Sequence, residues 1–185
     1  MKKYPQSKFL NILKTGQKLR FSIVVFCLLL CITSCSYSKK DPLGYRSQSF
    51  SATVSVHIEK TDFDAVLHIS PPDGEENIDF KVDFISPKSL EGLSFVQSRD
   101  NFKILLSGKE YLSEKSELFS ELNIGTVVKA LSPTEPIRSI KSEDGYTLVA
   151  AGDCVIYIDP TTSLPIKAVC ESKNLTVVVR EFSFD

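Results

Sequence analysis

Thiols are the side chains in this sequence best suited to covalent chemistry. Cys27, Cys31 and Cys35 lie in or just after an apolar run near the N-terminus, while Cys154 and Cys170 lie near the C-terminus. A thiol can be acylated, can be oxidised to a disulfide or can bind a metal as its thiolate. The spacing therefore divides the cysteines into two groups, for which different chemistry is expected.

The first 34 residues have the organisation of an export signal. Six basic residues and no acidic residue precede the apolar run Phe21 to Cys31, and the first carboxylate of the chain is Asp41. The run is about eleven residues long, whereas a helix that spans a bilayer needs about 20. A basic head, a short apolar segment and then small residues predict a signal peptide over residues 1–34.

Ile32-Thr33-Ser34-Cys35 resembles the lipobox of bacterial lipoproteins. In that motif the cysteine receives a diacylglycerol with chains such as palmitate and becomes the new N-terminus. Cys31 fits less well because bulky Leu30 occupies a position that requires a small side chain. The resemblance implies a lipid anchor on Cys35 at the extracytoplasmic face of the cell membrane, followed by a flexible tether over residues 35–48. The alternative is an uncleaved N-terminal membrane helix.

The charge of the remaining chain limits its partners. Removal of the signal leaves 151 residues and reduces the 22 basic residues to 16, against 23 acidic ones, a net charge of about −7. We expect no nucleic-acid partner, because such proteins carry a basic patch. An acidic domain is also repelled by anionic headgroups, so the lipid on Cys35 is the expected membrane contact.

Residues 49–185 are predicted to form one mainly β domain. Apolar residues alternate with polar ones from Phe50 to Ile58, and the same period recurs in segments separated by turn signals about 8–12 residues apart. The predicted strands cover residues 50–58, 63–69, 78–84, 93–96, 102–106, 137–140, 146–150, 155–158, 166–169, 175–179 and 182–184. Residues 117–131 follow a helical period that Asn123-Ile124-Gly125 interrupts, which predicts one amphipathic helix or two short helices with a kink.

A sheet of this size with one apolar face must curl or be covered. We therefore expect a curved antiparallel half-barrel of about 10–11 strands, with helix 117–131 as a cap over its concave side.

This pattern resembles the lipoprotein-carrier family of LolA and LolB type. The stretches that carry the resemblance best are residues 50–56, 85–90 and 157–167. In that family the half-barrel and its helical lid enclose an apolar cavity that accepts acyl chains, and several anchored relatives bind proteins instead. The candidate cavity residues are Phe50, Val54, Phe63, Leu67, Phe80, Phe84, Leu118 and Leu122.

The two C-terminal cysteines are candidates for a disulfide. A hairpin turn centred on Thr162 places Asp159 opposite Pro165. The same count places Cys154 opposite Cys170, on the apolar face of the hairpin. Outside the cytoplasm such a pair can stay oxidised; the alternative is two reduced thiols that pack as small core residues.

The sequence has none of the motifs of a hydrolase nucleophile, a zinc protease or a phosphate loop. His57 and His68 lie on the polar faces of predicted strands, so we expect solvated side chains, no catalytic or metal site and no cofactor. The leading hypothesis is a non-catalytic lipoprotein that binds a lipid or acyl chain. The alternative is a protein-binding regulator of the cell envelope, for example of a cell-wall enzyme in sporulation or germination, or of envelope signalling.

Overall fold

The computed structural model describes residues 41–59, 61–71, 78–98, 101–112 and 117–185, and the side chains of residues 112, 117 and 118 are not included. The predicted signal peptide and Cys35 lie outside these residues. No helix within the described ranges is long and apolar enough to cross a bilayer.

Eleven antiparallel strands form a single sheet in the order β6-β5-β4-β3-β2-β1-β11-β10-β9-β8-β7. The strands are β1 (Phe50–Ile58), β2 (Thr61–Ile69), β3 (Phe80–Ser86), β4 (Leu93–Ser98), β5 (Asn101–Leu106), β6 (Lys109–Leu112), β7 (Ile137–Glu143), β8 (Tyr146–Ala151), β9 (Cys154–Ile158), β10 (Pro165–Cys170) and β11 (Leu175–Phe184). The first and last strands pair at the centre, so β6 and β7 are the two edges of the sheet among the residues described. The predicted mainly β class and its open antiparallel sheet are confirmed.

The helical segment consists of α1 (Glu117–Glu121) and α2 (Ile124–Leu131). Asn123 between them has a left-handed backbone with φ of 50°, which few residues other than glycine and asparagine adopt readily. The predicted kink is confirmed, and the conformation of Asn123 is its cause.

The sheet is curved because this one segment reaches both of its halves. α2 packs against β9, β10 and β11, while Phe119 of α1 contacts Phe102 of β5. Strands β5 and β9 are separated by seven strand spacings, which span roughly 34 Å in a flat sheet at about 4.8 Å each. Fifteen residues that are mostly helical cannot bridge that distance, so the two halves curl toward the helices.

Alternation along each strand builds the core on the concave side. The buried row Val149, Ile156, Ala168, Val177, Val56 and Phe63 crosses six strands in register. Each of these side chains is at most 2% exposed. The period of two therefore identifies the concave face correctly, because a side chain one residue further along points to the outside.

The prediction for the last part of the sheet was wrong. β11 is one strand, although residues 175–179 and 182–184 were predicted as two. Thr53 pairs with Glu181 and Val54 pairs with Val179, so Arg180 is the extra residue of a bulge. A bulge shifts the alternation by one residue, and this shift makes one strand resemble two in the sequence.

The flexible tether over residues 35–48 stays a prediction, and its described part, residues 41–48, lies against the domain. A 3-10 turn at Gly44–Ser47 is packed on the domain, with Tyr45 only 4% exposed and Leu43 fully buried. The Tyr45 hydroxyl donates to the carbonyl of Leu131, and Arg46 Nη1 donates to the carbonyl of Pro133 over 2.6 Å. These groups satisfy carbonyls at the end of α2, which gives residues 41–48 a fixed place in the fold.

Candidate functional site on the concave face

The predicted cavity residues that can be compared with the structure all lie on the concave face. Their exposed fractions run from 0% to 7%, for Phe50, Val54, Phe63, Leu67, Phe80, Phe84 and Leu122. The side chain of Leu118 lies outside the described residues. In this closed arrangement the seven side chains are packed core residues, and their role in binding a ligand stays a prediction.

The ring of Phe119 covers the half of the concave face that is formed by β3, β4 and β5. The ring of Phe119 lies 5.6 Å from that of Phe95, 4.9 Å from that of Phe102 and 6.3 Å from that of Phe80. α1, which carries this ring, is only five residues long. Among the side chains of α1 that the structure describes, Phe119 is the one that is buried.

Phe95, Phe102 and Phe119 are absent from the predicted cavity residues. The sequence contains a signal for each: Phe95 and Phe102 alternate within predicted strands, and Phe119 lies on the apolar face of the predicted helix. What the sequence does not show is that these three rings meet, because α1 and β4 are joined only through the tertiary fold.

A second aromatic cluster closes the end of the sheet where β1 begins. The ring of Tyr45 lies 5.7 Å from Phe50 and 5.8 Å from Phe182, which are stacked 4.8 Å apart. Phe184 lies 5.4 Å from Phe182 and is 46% exposed. Burial also raises the pKa of the Tyr45 hydroxyl, so this group stays protonated and keeps donating to Leu131.

The half of the concave face formed by β9, β10 and β11 is covered by α2. Val127, Val128 and Leu131 are each at most 1% exposed. The apolar stripe of α2 is directed at the sheet, as the helical spacing predicts. The two halves thus differ, because α2 has an extensive packed face and α1 has a single deeply placed ring.

Cys154 and Cys170 form a disulfide on this same concave side. They are paired across the β9–β10 hairpin, so the predicted bond and its register are confirmed. Toward the turn the prediction was wrong, because Pro165 pairs with Ile158 and not with Asp159. A register shift between Pro165 and Lys167 accounts for the difference. The pairs from Lys167–Tyr157 to Cys170–Cys154 keep the predicted register.

The outer face of the sheet brings together polar groups that the sequence analysis did not combine. Ser51 Oγ lies 2.8 Å from His68 Nδ1 and donates to Asp185 Oδ1 over 2.6 Å. His68 Nε2 lies 3.5 Å from Asp83 Oδ2. The Ser51 proton is directed at a carboxylate, and the imidazole is 43% exposed on a strand face. This arrangement is a hydrogen-bonded surface row, and the predicted solvation of His68 is confirmed.

A neighbouring row is centred on the carboxylate of Asp64. Ser55 and Ser86 donate to its two oxygens over 2.5 Å and 2.9 Å, and Arg180 Nη2 lies 3.5 Å away. The hydrogen bonds from Ser55 and Ser86 lower the pKa of Asp64. Within the described ranges, no group of three or more histidine, cysteine or acidic side chains is arranged to hold a metal ion.

The open half-barrel with its helical cover is similar to several solved structures, whereas no protein-family model and no curated protein matches the sequence. An uncharacterised conserved protein from Thermus thermophilus is 17% identical, with 78% of this chain aligned to 84% of that one at a TM-score of 0.49. A LolA superfamily protein from Nitrosomonas europaea is 10% identical over 75% of this chain and 87% of that one, at a TM-score of 0.38.

The MucA/MucB complex from Pseudomonas aeruginosa also contains a similar chain. It is 12% identical, with 77% of this chain aligned to 54% of that one at a TM-score of 0.38. At such identities and TM-scores, the ligand must be argued from the side chains of this chain.

Proposed function

We propose that this protein is a non-catalytic binding protein, anchored through Cys35 to the outer side of the cell membrane, that accepts a lipid or acyl chain between α1 and strands β3 to β5. The observation that carries the proposal is the packing of the Phe119 ring against the concave face. An apolar ring in the middle of a short helix fills the space that the rings of Phe80, Phe95 and Phe102 surround.

The physical basis is an exchange of one apolar occupant for another. Withdrawal of Phe119 exposes three aromatic rings to water, which is unfavourable by about 25 cal/mol for each Å² of apolar surface. An acyl chain in the same place removes that surface from water again. The ligand therefore supplies the free energy that keeps α1 displaced, while α2 stays packed on the other half of the sheet.

The anchor and the disulfide support an extracytoplasmic location. The lipobox-like residues 32–35 follow an export signal, and the disulfide Cys154–Cys170 is of the kind that persists in oxidising compartments. A domain held by its own lipid is suited to receiving or presenting an apolar molecule at the membrane surface.

A single tryptophan tests the binding site, because the natural chain contains none. In the Phe119→Trp variant of the full chain, one molar equivalent of a dibrominated fatty acid should quench the tryptophan emission. In the control Val66→Trp, on the outer face of β2, emission should be unchanged. Equal quenching at both positions, or none at position 119, would contradict the proposed site.

A protein ligand is the second candidate function, and the edge strand β7 favours it. Ile140 at its centre is 52% exposed, and β7 pairs only with β8 in the described sheet. An extended segment of another protein could add a strand there, since an edge strand presents unpaired backbone groups. A photo-crosslinker at Ile140 should then capture one defined envelope protein in cells, whereas the same group at Val66 should not.

A further inference from the structure

The outer face of the sheet is divided into a polar half and an apolar half. On β1 and β2 the outward positions carry the side chains expected of a strand face in water, namely Ser51, Thr53, Ser55, His57, Asp62, Asp64 and His68, with Val66 as the exception. On strands β8, β9 and β10 the outward positions behave differently.

Most of the outward side chains there, together with Val178 of β11, form what we call the outer apolar patch, which consists of Tyr146, Leu148, Ala150, Val155, Tyr157, Val169 and Val178. All of them are partly or well exposed, and Tyr146 is 40% exposed. The other outward positions of β11 are polar and border the patch, namely Thr176, Glu181 and Ser183. A strand face in water normally alternates with the buried face in polarity. Strands that are apolar on both faces are typical of sheets that are covered on both sides, so this face has the composition of a covered surface.

Two lysines accompany the patch. Lys141 on β7 is in register with Leu148, and Lys167 on β10 is in register with Tyr157. Lys167 Nζ lies 5.5 Å from the centre of the Tyr157 ring. Two carboxylates lie at the margin of the patch, Glu143 beside Tyr146 and Glu181 on β11. Apolar side chains with tyrosine rings and lysines that can extend past them are typical of a protein surface at a lipid headgroup boundary.

The tyrosine end of the patch lies at the end of the sheet where the described part of the chain begins. Antiparallel pairing brings the start of β8 at Tyr146, the end of β9 and the start of β10 to the end of the sheet where β11 finishes and β1 begins. The segment 41–48 enters at that end. Only five residues lie between Cys35 and Asp41, and the six steps of backbone that join the two extend over at most about 22 Å.

From these observations we infer that the outer apolar patch rests on the anionic surface of the membrane, as a contact in addition to the lipid on Cys35 and in spite of the net charge of about −7. The inference rests on the anchored part of the proposed function and adds the orientation of the domain. A second copy of the chain is a poorer occupant, because Lys167 lies within the patch and face-to-face packing would oppose like charges. The polar half of the outer face carries the carboxylates of Asp62 and Asp64. Anionic lipid repels these carboxylates, so this half would point away from the membrane.

Tryptophan reporters again provide the test, with full chains purified from membranes and reconstituted into vesicles of phosphatidylcholine and phosphatidylglycerol with brominated acyl chains. In Tyr157→Trp the emission should fall by about half, because a side chain at the headgroup boundary lies within about 10 Å of the acyl chains. In the matched control Val66→Trp, on the polar half of the same face, emission should be unchanged. Leu148→Trp is a second reporter in case position 157 does not tolerate the larger ring.

Charge reversal is the second measurement. Lys141→Glu with Lys167→Glu should remove most of the quenching at position 157, and omission of phosphatidylglycerol should do the same. A vesicle-bound chain in which neither tryptophan is quenched overturns the inference and leaves the anchor intact. A chain that floats free of the vesicles overturns both. Emission at position 157 that shifts with protein density but is not quenched by bromine indicates a second copy as the occupant and also overturns it.

Discussion

Cys154 and Cys170 face each other across the β9–β10 hairpin with their Cα atoms 4.2 Å apart, on the concave side of the sheet. Both residues belong to the buried core, and Cys170 is fully buried. The disulfide thus joins two neighbouring strands beneath α2, in the half of the domain that we expect to stay fixed when a ligand enters.

Loss of this disulfide should lower stability by about 3 kcal/mol, since it closes a loop of about 17 residues in the unfolded chain. Urea unfolding with and without a reductant measures the difference. The Cys154→Ala/Cys170→Ala variant is the control, and its unfolding midpoint should not respond to the reductant. A reductant effect of the same size in both proteins would contradict this assignment.

Removal of one buried hydroxyl should loosen the attachment of residues 41–48. Tyr45→Phe leaves the Leu131 carbonyl without its donor at a buried helix end, which costs about 1–3 kcal/mol. Urea unfolding is again the measurement. Tyr111→Phe removes a hydroxyl from a side chain that is 51% exposed and should change nothing; equal effects of the two changes would show that the Tyr45 contact is not stabilising.

The fold was predictable from the sequence wherever one residue in two is apolar. β1, β2 and β3 follow that rule, and the hairpin count found the cysteine pair. β6 was missed because Lys109–Leu112 is a short edge strand without alternation. The docking of Tyr45 and Arg46 was missed for another reason, since their hydrogen-bond partners Leu131 and Pro133 lie more than 80 residues away and leave no local pattern.

The concave site was predictable in part for the same reason. Strand periodicity identified Phe80 and Phe84 as inward residues, because their direction follows from the backbone alone. The contact of Phe119 with Phe95 and Phe102 depends on how far the sheet curls, which is a property of all eleven strands. No window of the sequence contains that information.

Stability should fall in acid because of Asp64. Its pKa is lowered in the folded state, first by the hydrogen bonds from Ser55 and Ser86. A carboxylate with a lowered pKa stabilises the fold above its unfolded pKa of about 3.9, and the contribution is lost as the pH falls through the folded pKa. The urea midpoint should therefore decrease from pH 6 to pH 3.

Ser55→Ala combined with Ser86→Ala is the control for this effect. It keeps the carboxylate but removes both donors, so the pKa of Asp64 should return toward its ordinary value and the pH dependence should shrink. A double variant whose midpoint varies with pH as steeply as in the natural protein would rule out these hydrogen bonds as the cause.

The stability of the protein should depend on the side chain at position 123, directly before α2. Asn123 has φ of 50°, a conformation that costs other residues about 1–2 kcal/mol. Asn123→Val should destabilise the protein by at least that amount, while Asn123→Gly should be neutral or stabilising. Thermal unfolding compares the three proteins, and a tolerated valine would contradict the left-handed conformation.

Replacement of the candidate lipid attachment residue should change processing and location. Cys35→Ala should give an unmodified precursor or a released protein, because only a thiol accepts the diacylglycerol. Mass spectrometry of the membrane and soluble fractions measures both outcomes. Cys31→Ala is the matched control and should leave the mass and the membrane association of the mature protein unchanged.

The most direct test of the proposed function is native mass spectrometry of the full-length protein released from its own membranes with a mild detergent. We expect a bound lipid or acyl chain in about stoichiometric amount, and we expect its loss in Phe95→Asp, which puts a charge where the chain would lie. A natural protein that is free of lipid, and that takes up none when fatty acid is added, would contradict a binding site between α1 and the sheet.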